Sequence, residues 1–198
     1  MGRKPKEGES TNSMVRAKLL SVAAELFYRK GYAATTIRDI IQKAGVTAPV
    51  LYYYFGSKEG IFRELMESVL RQSDPIYENI QQKGGSAKDR ILDFATRWYP
   101  LFIENKDAVR LLLSMHYGPP EQGIPIFDLE GNHKRFHQTI RNLVKEGIQK
   151  GEFHADCPED LAWVIFSVVN AGMEVEITRP GKGLGQEGIA RVLKLILH

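Results

Sequence analysis

The sequence predicts an all-α protein with a short N-terminal helical domain and a longer C-terminal one. Apolar residues recur every three or four positions along most of the chain, which is the period of an amphipathic helix. Glycine, proline, serine and threonine interrupt this pattern where helices would begin and end. No segment of useful length alternates apolar and polar residues as a half-buried strand does.

The first helix is predicted from a stripe of apolar residues that Gly31 ends. Residues 1–12 precede it and carry Arg3, Lys4 and Lys6 without the apolar stretch of a secretory signal. We therefore expect a flexible basic arm over 1–12, a first domain over 13–60 and a second domain over 61–198.

Two short helices follow, separated by Ala44-Gly45-Val46. Thr36 opens the helix over 37–44, and Asp39 stands three residues later in capping-box spacing. Glycine at 45 permits the positive φ that lets one helix stop and the next leave at a steep angle. Thr47 caps the helix over 48–54, and a fourth helix runs from Lys58 to about residue 72. This order predicts a helix-turn-helix.

The rest of the chain predicts longer helices, joined by loop-like stretches at 81–86 and 118–125. The expected helices cover 87–105, 107–116, 129–150, 158–178 and 186–197. Pro100 falls inside one of them and should kink it.

Charge is unevenly distributed along the chain. The net charge is +3, yet the first sixty residues hold ten lysines and arginines against five acidic residues. A basic segment attached to a mildly acidic body is typical of a phosphate-binding head, and a chance difference of a few charges is the alternative.

Composition excludes several classes of protein. Apolar residues make up 43% and charged residues 26% of the chain, as in ordinary soluble proteins. No run of 18 uncharged apolar residues appears, so we expect no membrane span. The single cysteine, Cys157, cannot form an internal disulfide and fits a reducing cytoplasm, where we expect the protein to act.

The segment from Arg16 to Phe62 resembles the N-terminal DNA-binding domain of the TetR family of transcriptional regulators. The resemblance has no gaps and covers about a quarter of the chain. The matching residues are Leu19-Leu20, Ala23, Leu26-Phe27, Gly31-Tyr32, Thr36, Ile40, Ala44-Gly45-Val46, Leu51-Tyr52, Tyr54-Phe55, Ser57-Lys58-Glu59 and Phe62.

The resemblance implies a role for each residue of the motif. Thr36 and Lys58 should meet DNA phosphates, and Tyr52 should reach the backbone with its hydroxyl. The start of the second short helix should face base edges and sugar in the major groove. Its contacting residues are Thr47, Ala48, Pro49 and Tyr53.

Other residues near the motif divide between core and surface. We expect Tyr54 and Phe55 to be core rather than contact residues, and Arg38 and Lys43 are open to either a DNA contact or a solvated surface position. Residues 48–50 include no long polar side chain, so part of the specificity should come from DNA shape. Ile41 replaces the family's usual alanine and should shift the crossing of the two short helices slightly.

The resemblance further implies that the second domain dimerises and binds a small effector. Aromatic and apolar residues could line a pocket for a largely apolar or aromatic ligand, although most residues of this kind will be ordinary core. The candidate ligand-binding residues are Trp98, Phe102, Leu112, Met115, His116, Phe136 and Phe166.

The helix over 158–178 is apolar almost all round and must be buried on all faces. We expect its second face to pack against a partner subunit, with the helix over 186–197 completing a four-helix dimer interface. Burial wholly within one subunit is the alternative.

No enzyme site is apparent, and we expect neither catalysis nor a metal or other cofactor. His133 and His137 have a spacing that could place both on one helix face, but no second ligand pair accompanies them. The sequence thus predicts a repressor of a palindromic operator, released by its effector. The alternative is a DNA-binding regulator or DNA-organising protein that acts through a protein partner without an inducer.

Overall fold

The computed structural model describes residues 7–117, 123–128 and 130–197, and no strand occurs in these ranges. The prediction of an all-α fold is confirmed. The helices of the described chain are α1 (Glu7–Lys30), α2 (Ile37–Ala44), α3 (Ala48–Phe55), α4 (Lys58–Arg71), α5 (Asp74–Gln82), α6 (Ala87–Glu104), α7 (Lys106–Tyr117), α8 (Glu130–Gln149), α9 (Pro158–Thr178) and α10 (Gly185–Ile196).

The first helix begins earlier than the sequence predicts. Residues 7–12, expected in a flexible arm, belong to α1, and residues 1–6 of that predicted arm lie outside the described residues. The last proline before α1 is Pro5, so no proline interrupts the extended helix.

The short helix α5 was not predicted. Its N-terminal turn contains Pro75, and its buried side chains are Ile76, Tyr77 and Ile80. Only three apolar positions mark this nine-residue helix, too few to establish a period. The helix also takes in residues 81 and 82 of the predicted loop.

The chain divides into two units whose boundary differs from the predicted one at 60/61. Unit 1 comprises Met1–Val69 and Asp107–Phe127, and unit 2 comprises Leu70–Lys106 and Asp128–His198. The physical reason lies in the core of unit 1. Its buried cluster includes α4 residues as far as Val69, and also Leu111 of α7.

Unit 2 is built around α6, which carries a proline in its interior. Pro100 has no N–H, so the carbonyl of Thr96, four residues earlier, loses its helical donor. The Nε2 of Gln186 in α10 donates a hydrogen bond to this carbonyl over 3.0 Å. A side chain from another helix thus satisfies the carbonyl that the proline leaves unpaired.

One face of α9 is buried in unit 2, and the other is exposed. Ile165 and Val169 are fully buried, whereas Trp163 is 53% exposed and Val164 and Val175 are also exposed. The expected burial on all faces is therefore incomplete within this chain. Among the described helices, α9 is long and apolar enough to cross a membrane by length and composition, a test that core helices also pass.

Candidate DNA-binding interface

The turn between α2 and α3 depends on one glycine. Gly45 adopts φ 68° and ψ 37°, the left-handed conformation that side chains disfavour. The N–H of Val46 then donates to the carbonyl of Ile41 over 3.1 Å. The predicted positive φ at Gly45 is confirmed. Because the turn is so short, α3 starts at residue 48, four residues after α2 ends.

Buried side chains on both short helices anchor the motif to the core of unit 1. Ile40 of α2 and Leu51 of α3 are fully buried in the same cluster as residues of α1 and α4. Ile41, the expected departure from the family, is half-buried and packs against that cluster. With its inner face held in this way, α3 presents its opposite face to solvent.

The N-terminal turn of α3 is exposed. Thr47 is the N-cap residue and has extended backbone angles, but its side chain makes no capping hydrogen bond. Its exposed hydroxyl is therefore available to a ligand. Pro49 is also exposed, and Ala48 is half-buried. This turn forms a small, mostly apolar tip with one hydroxyl.

Four consecutive aromatic residues of α3 divide between solvent and core. Tyr53 is 78% and Tyr52 is 50% exposed. Tyr54 and Phe55 are half-buried and pack against the core of unit 1, as expected for core residues. The rings of Tyr53 and Tyr54 meet edge to face, with centroids 5.2 Å apart. The exposed Tyr53 is thereby supported by a half-buried neighbour.

Thr36 begins α2 with the predicted capping box. Its hydroxyl accepts from the Asp39 N–H over 3.1 Å and donates to Oδ2 of Asp39 over 2.8 Å, and the Thr36 N–H donates to the same oxygen. These bonds, with an ion pair to Lys30, lower the pKa of Asp39 to about 2. The Thr36 hydroxyl is exposed but already has a partner.

Lys58 is the first residue of α4, as predicted, and its ammonium is bonded to the turn between α1 and α2. Its Nζ donates to the backbone carbonyls of Tyr32, Ala33 and Thr35, at 2.9, 3.4 and 3.0 Å. The ammonium also sits 4.3 Å from the centroid of the Tyr32 ring. Two short hydrogen bonds and one long one thus hold the ammonium against the turn between α1 and α2.

The structure distinguishes the two cations of α2 that the sequence left open. Lys43 forms an ion pair with Glu25 of α1 over 2.6 Å. Arg38 is exposed, stands in the first turn of α2, and has no carboxylate partner among the described residues. Arg38 therefore remains available for an external anion.

The predicted ligand-binding residues fall into three groups. Trp98, Phe102, Phe136 and Phe166 meet in unit 2, where neighbouring ring centroids are 5.2–5.4 Å apart. Leu112 packs against the core of unit 1 instead. The predictions for the side chains of residues 115 and 116 lie outside what the structure describes.

Comparisons with known proteins agree with a helix-turn-helix in this part of the chain. Residues 19–65 match the family model described as bacterial regulatory proteins, tetR family. HTH-type transcriptional repressor ComR of Escherichia coli K12 is 40% identical over 168 residues, which cover 83% of this chain and 80% of that protein. The chain belongs to the TetR family. It is therefore a DNA-binding transcriptional regulator.

Other similar proteins extend the likeness of this TetR-family regulator along almost the whole chain. HTH-type transcriptional repressor KstR2 of Rhodococcus jostii RHA1 is 27% identical over 94% of this chain and 91% of its own. The crystal structure of the TetR family regulator PfmR from Thermus thermophilus has a TM-score of 0.70 and 27% identity. It covers 90% of this chain and 96% of that one.

Proposed function

We propose that this regulator is a homodimeric repressor of a palindromic operator and that a small, largely apolar or aromatic effector releases it. The observation that carries the proposal is the exposed face of α3. Its N-terminal tip has a threonine hydroxyl that makes no capping hydrogen bond, and two exposed tyrosines follow it. ComR and KstR2 are both named repressors, which supports repression rather than activation. Binding to chromosomal DNA implies that it acts in the cytoplasm.

In this proposal α3 enters the major groove with its N-terminal turn first. The Thr47 hydroxyl bonds a base edge, and Ala48 and Pro49 contact thymine methyl groups. Tyr53 reaches base or sugar, while the Tyr52 hydroxyl bonds a phosphate. Because this tip has one hydroxyl and no cation, the proposed direct readout is confined to a few positions.

Phosphate binding falls mainly to the start of α2. The guanidinium of Arg38, which pairs with no carboxylate of the described chain, belongs to the first turn of α2, close to Thr36 and the N-terminal amides. A guanidinium and helix N-terminal amides both favour a phosphate oxygen. Lys58 acts on this surface indirectly, because it fixes the carbonyls of the turn that leads into Thr36.

The dimer forms through the exposed apolar faces of α9 and α10. Trp163, Val164 and Val175 on α9, and Leu184 and Leu195 near or on α10, are large apolar side chains exposed to solvent. Burial of such a stripe against its own copy is the simplest closed arrangement. The two α3 tips should then lie about 34–36 Å apart, one turn of DNA.

Release follows if the effector binds more tightly to a conformation in which the two tips are wrongly spaced. The aromatic residues that meet in unit 2, among them Trp98 and Phe136, support this part of the proposal, because effectors of this class favour apolar, aromatic surroundings.

The test is selection of bound sequences from a random DNA library by the dimeric protein. We expect an inverted repeat whose half-sites are about one helical turn apart. Thr47→Val should change the preferred base at one position of each half-site. Arg38→Gln should weaken binding to all sequences, whereas Lys43→Gln, the matched control, should not, since Lys43 is paired with Glu25. Selected sequences without inverted symmetry, or an unchanged motif for Thr47→Val, would contradict the proposal.

A further inference from the structure

Aromatic rings dominate the part of unit 2 where α5, α6 and α8 meet. The Trp98 ring lies edge to face against Tyr77 and Phe136, with centroids 5.8 and 5.3 Å away. Phe94 contacts the same three rings, and Phe102 lies 5.4 Å from Trp98. We call these five residues the ring cluster.

Two hydrogen-bond donors are buried in the ring cluster without a partner. The hydroxyl of Tyr77 and the Nε1–H of Trp98 are both fully enclosed and unbonded within the described chain. Tyr77 is 1% and Trp98 is 5% exposed. A buried donor that bonds neither protein nor water is costly, so native proteins rarely leave one unused. Two such donors on neighbouring rings indicate an acceptor that comes from outside the chain.

Among the described residues, the ring cluster offers no unpaired charge to meet an anion. Burial raises the pKa of Tyr77, which keeps its phenol protonated and able to donate. The guanidinium of Arg135 lies 3.8 Å from the Tyr77 ring centroid, but it is paired with Asp74 over 2.5 Å. An ionised ligand would lose its hydration here without gaining an unpaired cation. A neutral acceptor avoids that loss.

An open groove with a volume of about 400 Å³ lies on unit 2. Two of its lining residues are the sequence neighbours of Tyr77 and Trp98. Ile76, which lines it, precedes Tyr77, and Arg97, also in the lining, precedes Trp98. Pro75, Pro100 and Leu101 give the groove an apolar wall. The groove thus borders the stretches of α5 and α6 that carry the two donors, although neither Tyr77 nor Trp98 lines it.

We propose that the effector is a neutral, flat, largely apolar molecule whose carbonyl-type oxygen accepts hydrogen bonds from Tyr77 and Trp98 inside the ring cluster. This inference rests on the proposed effector binding and specifies its chemistry. The rings supply edge and face contacts to the apolar frame. The two donors select for the acceptor, because a molecule lacking it leaves both of them unpaired.

The test measures binding of two matched pairs of probes to the dimer without DNA: fluorenone with fluorene, and acetophenone with ethylbenzene. Within each pair only the carbonyl differs, and fluorene-9-carboxylate is the anionic comparison. By calorimetry each ketone should bind about five- to ten-fold more tightly than its hydrocarbon, the effect of one or two neutral hydrogen bonds. The indole proton signal of Trp98, identified by its loss in Trp98→Phe, should move downfield with the ketones.

Tyr77→Phe and Trp98→Phe each keep a ring and remove a donor. Either variant should reduce the ketone-to-hydrocarbon ratio several-fold, and the double variant should bring it close to one. The ratio is compared because a smaller ring at 98 leaves space that changes both affinities alike. Tyr28→Phe, which removes an exposed hydroxyl from α1 in unit 1, is the matched control and should keep the full ratio.

Equal affinities within both pairs, no ketone binding, tighter binding of the carboxylate, or a ketone preference that survives in the double variant would each overturn the proposal. Because these measurements need no DNA, they are independent of operator binding. Failure of the library selection with an intact ketone preference would overturn the proposed repressor function and leave this inference standing.

Discussion

Replacement of Lys58 by methionine tests whether this residue positions the motif or binds a phosphate. Methionine keeps an apolar stem of similar length and removes the ammonium. The carbonyls of Tyr32 and Thr35, which accept at 2.9 and 3.0 Å, then lose a charged donor. Both bonds are part-buried, so water can replace the donor only in part.

The expected loss of stability follows from these two short bonds. Hydrogen bonds to charged groups contribute about 1.5–3 kcal/mol each, and partial rehydration reduces the sum, so we expect a total loss of about 2 kcal/mol. The third carbonyl, at 3.4 Å, is too distant to add much. For a chain of 198 residues, a loss of about 2 kcal/mol lowers Tm by roughly 4–8 °C.

The assay combines thermal unfolding with the salt dependence of operator binding. If Lys58 only positions the turn, Lys58→Met lowers Tm and leaves the slope of log K against log salt nearly unchanged. Arg38→Met is the control. We expect it to leave Tm unchanged and to reduce the magnitude of the slope by about 0.9 for each phosphate that the variant no longer neutralises. An unchanged Tm with a reduced slope for Lys58→Met would refute the reasoning and restore the phosphate role.

Two further predictions concern pH and assembly. The lowered pKa of Asp39 means that the folded state favours the ionised carboxylate. Its stabilisation of the folded state is therefore present above the ordinary pKa of 3.8 and is lost as pH falls from about 4 towards 2. Acid unfolding of Asp39→Asn should therefore depend less on pH across that window than wild type, and identical profiles would exclude the effect. Val164→Asp should convert the dimer to a folded monomer, because a charge would enter the apolar interface. Sedimentation equilibrium at micromolar concentration measures this change, and a dimeric mass for the variant would place the interface elsewhere.

The parts of the fold that the sequence predicts are those specified by neighbouring residues. The ends of α2 follow from Thr36, Asp39 and Gly45, whose hydrogen bonds join residues three to five positions apart. Longer helices are predicted by many turns of the same pattern. By contrast, α5 has too few turns for a period, and its helix is stabilised by burial of Ile76 and Tyr77 in a core formed by distant residues.

The same distinction holds within the DNA-binding interface. Exposure of Thr47 and Tyr53 follows from the pattern of α3, whose buried side is marked by Leu51. Whether a cation of this interface is paired or available does not follow from the pattern of α3. Lys43 is neutralised by Glu25, 18 positions earlier, and Lys58 is engaged by carbonyls 23–26 positions earlier. Such partners meet only after the helices pack, so local sequence cannot separate these two lysines from Arg38.

The architecture of the motif explains how so few polar atoms could recognise DNA. Side chains held in place before binding lose little conformational entropy on binding. Tyr53 rests on Tyr54, whose ring lies 6.0 Å from that of Phe55 against the core. Lys58 holds the turn before Thr36 in the same way. We expect a tip supported in this way to gain discrimination from DNA shape, because it adapts less to a sequence that widens or bends the groove differently.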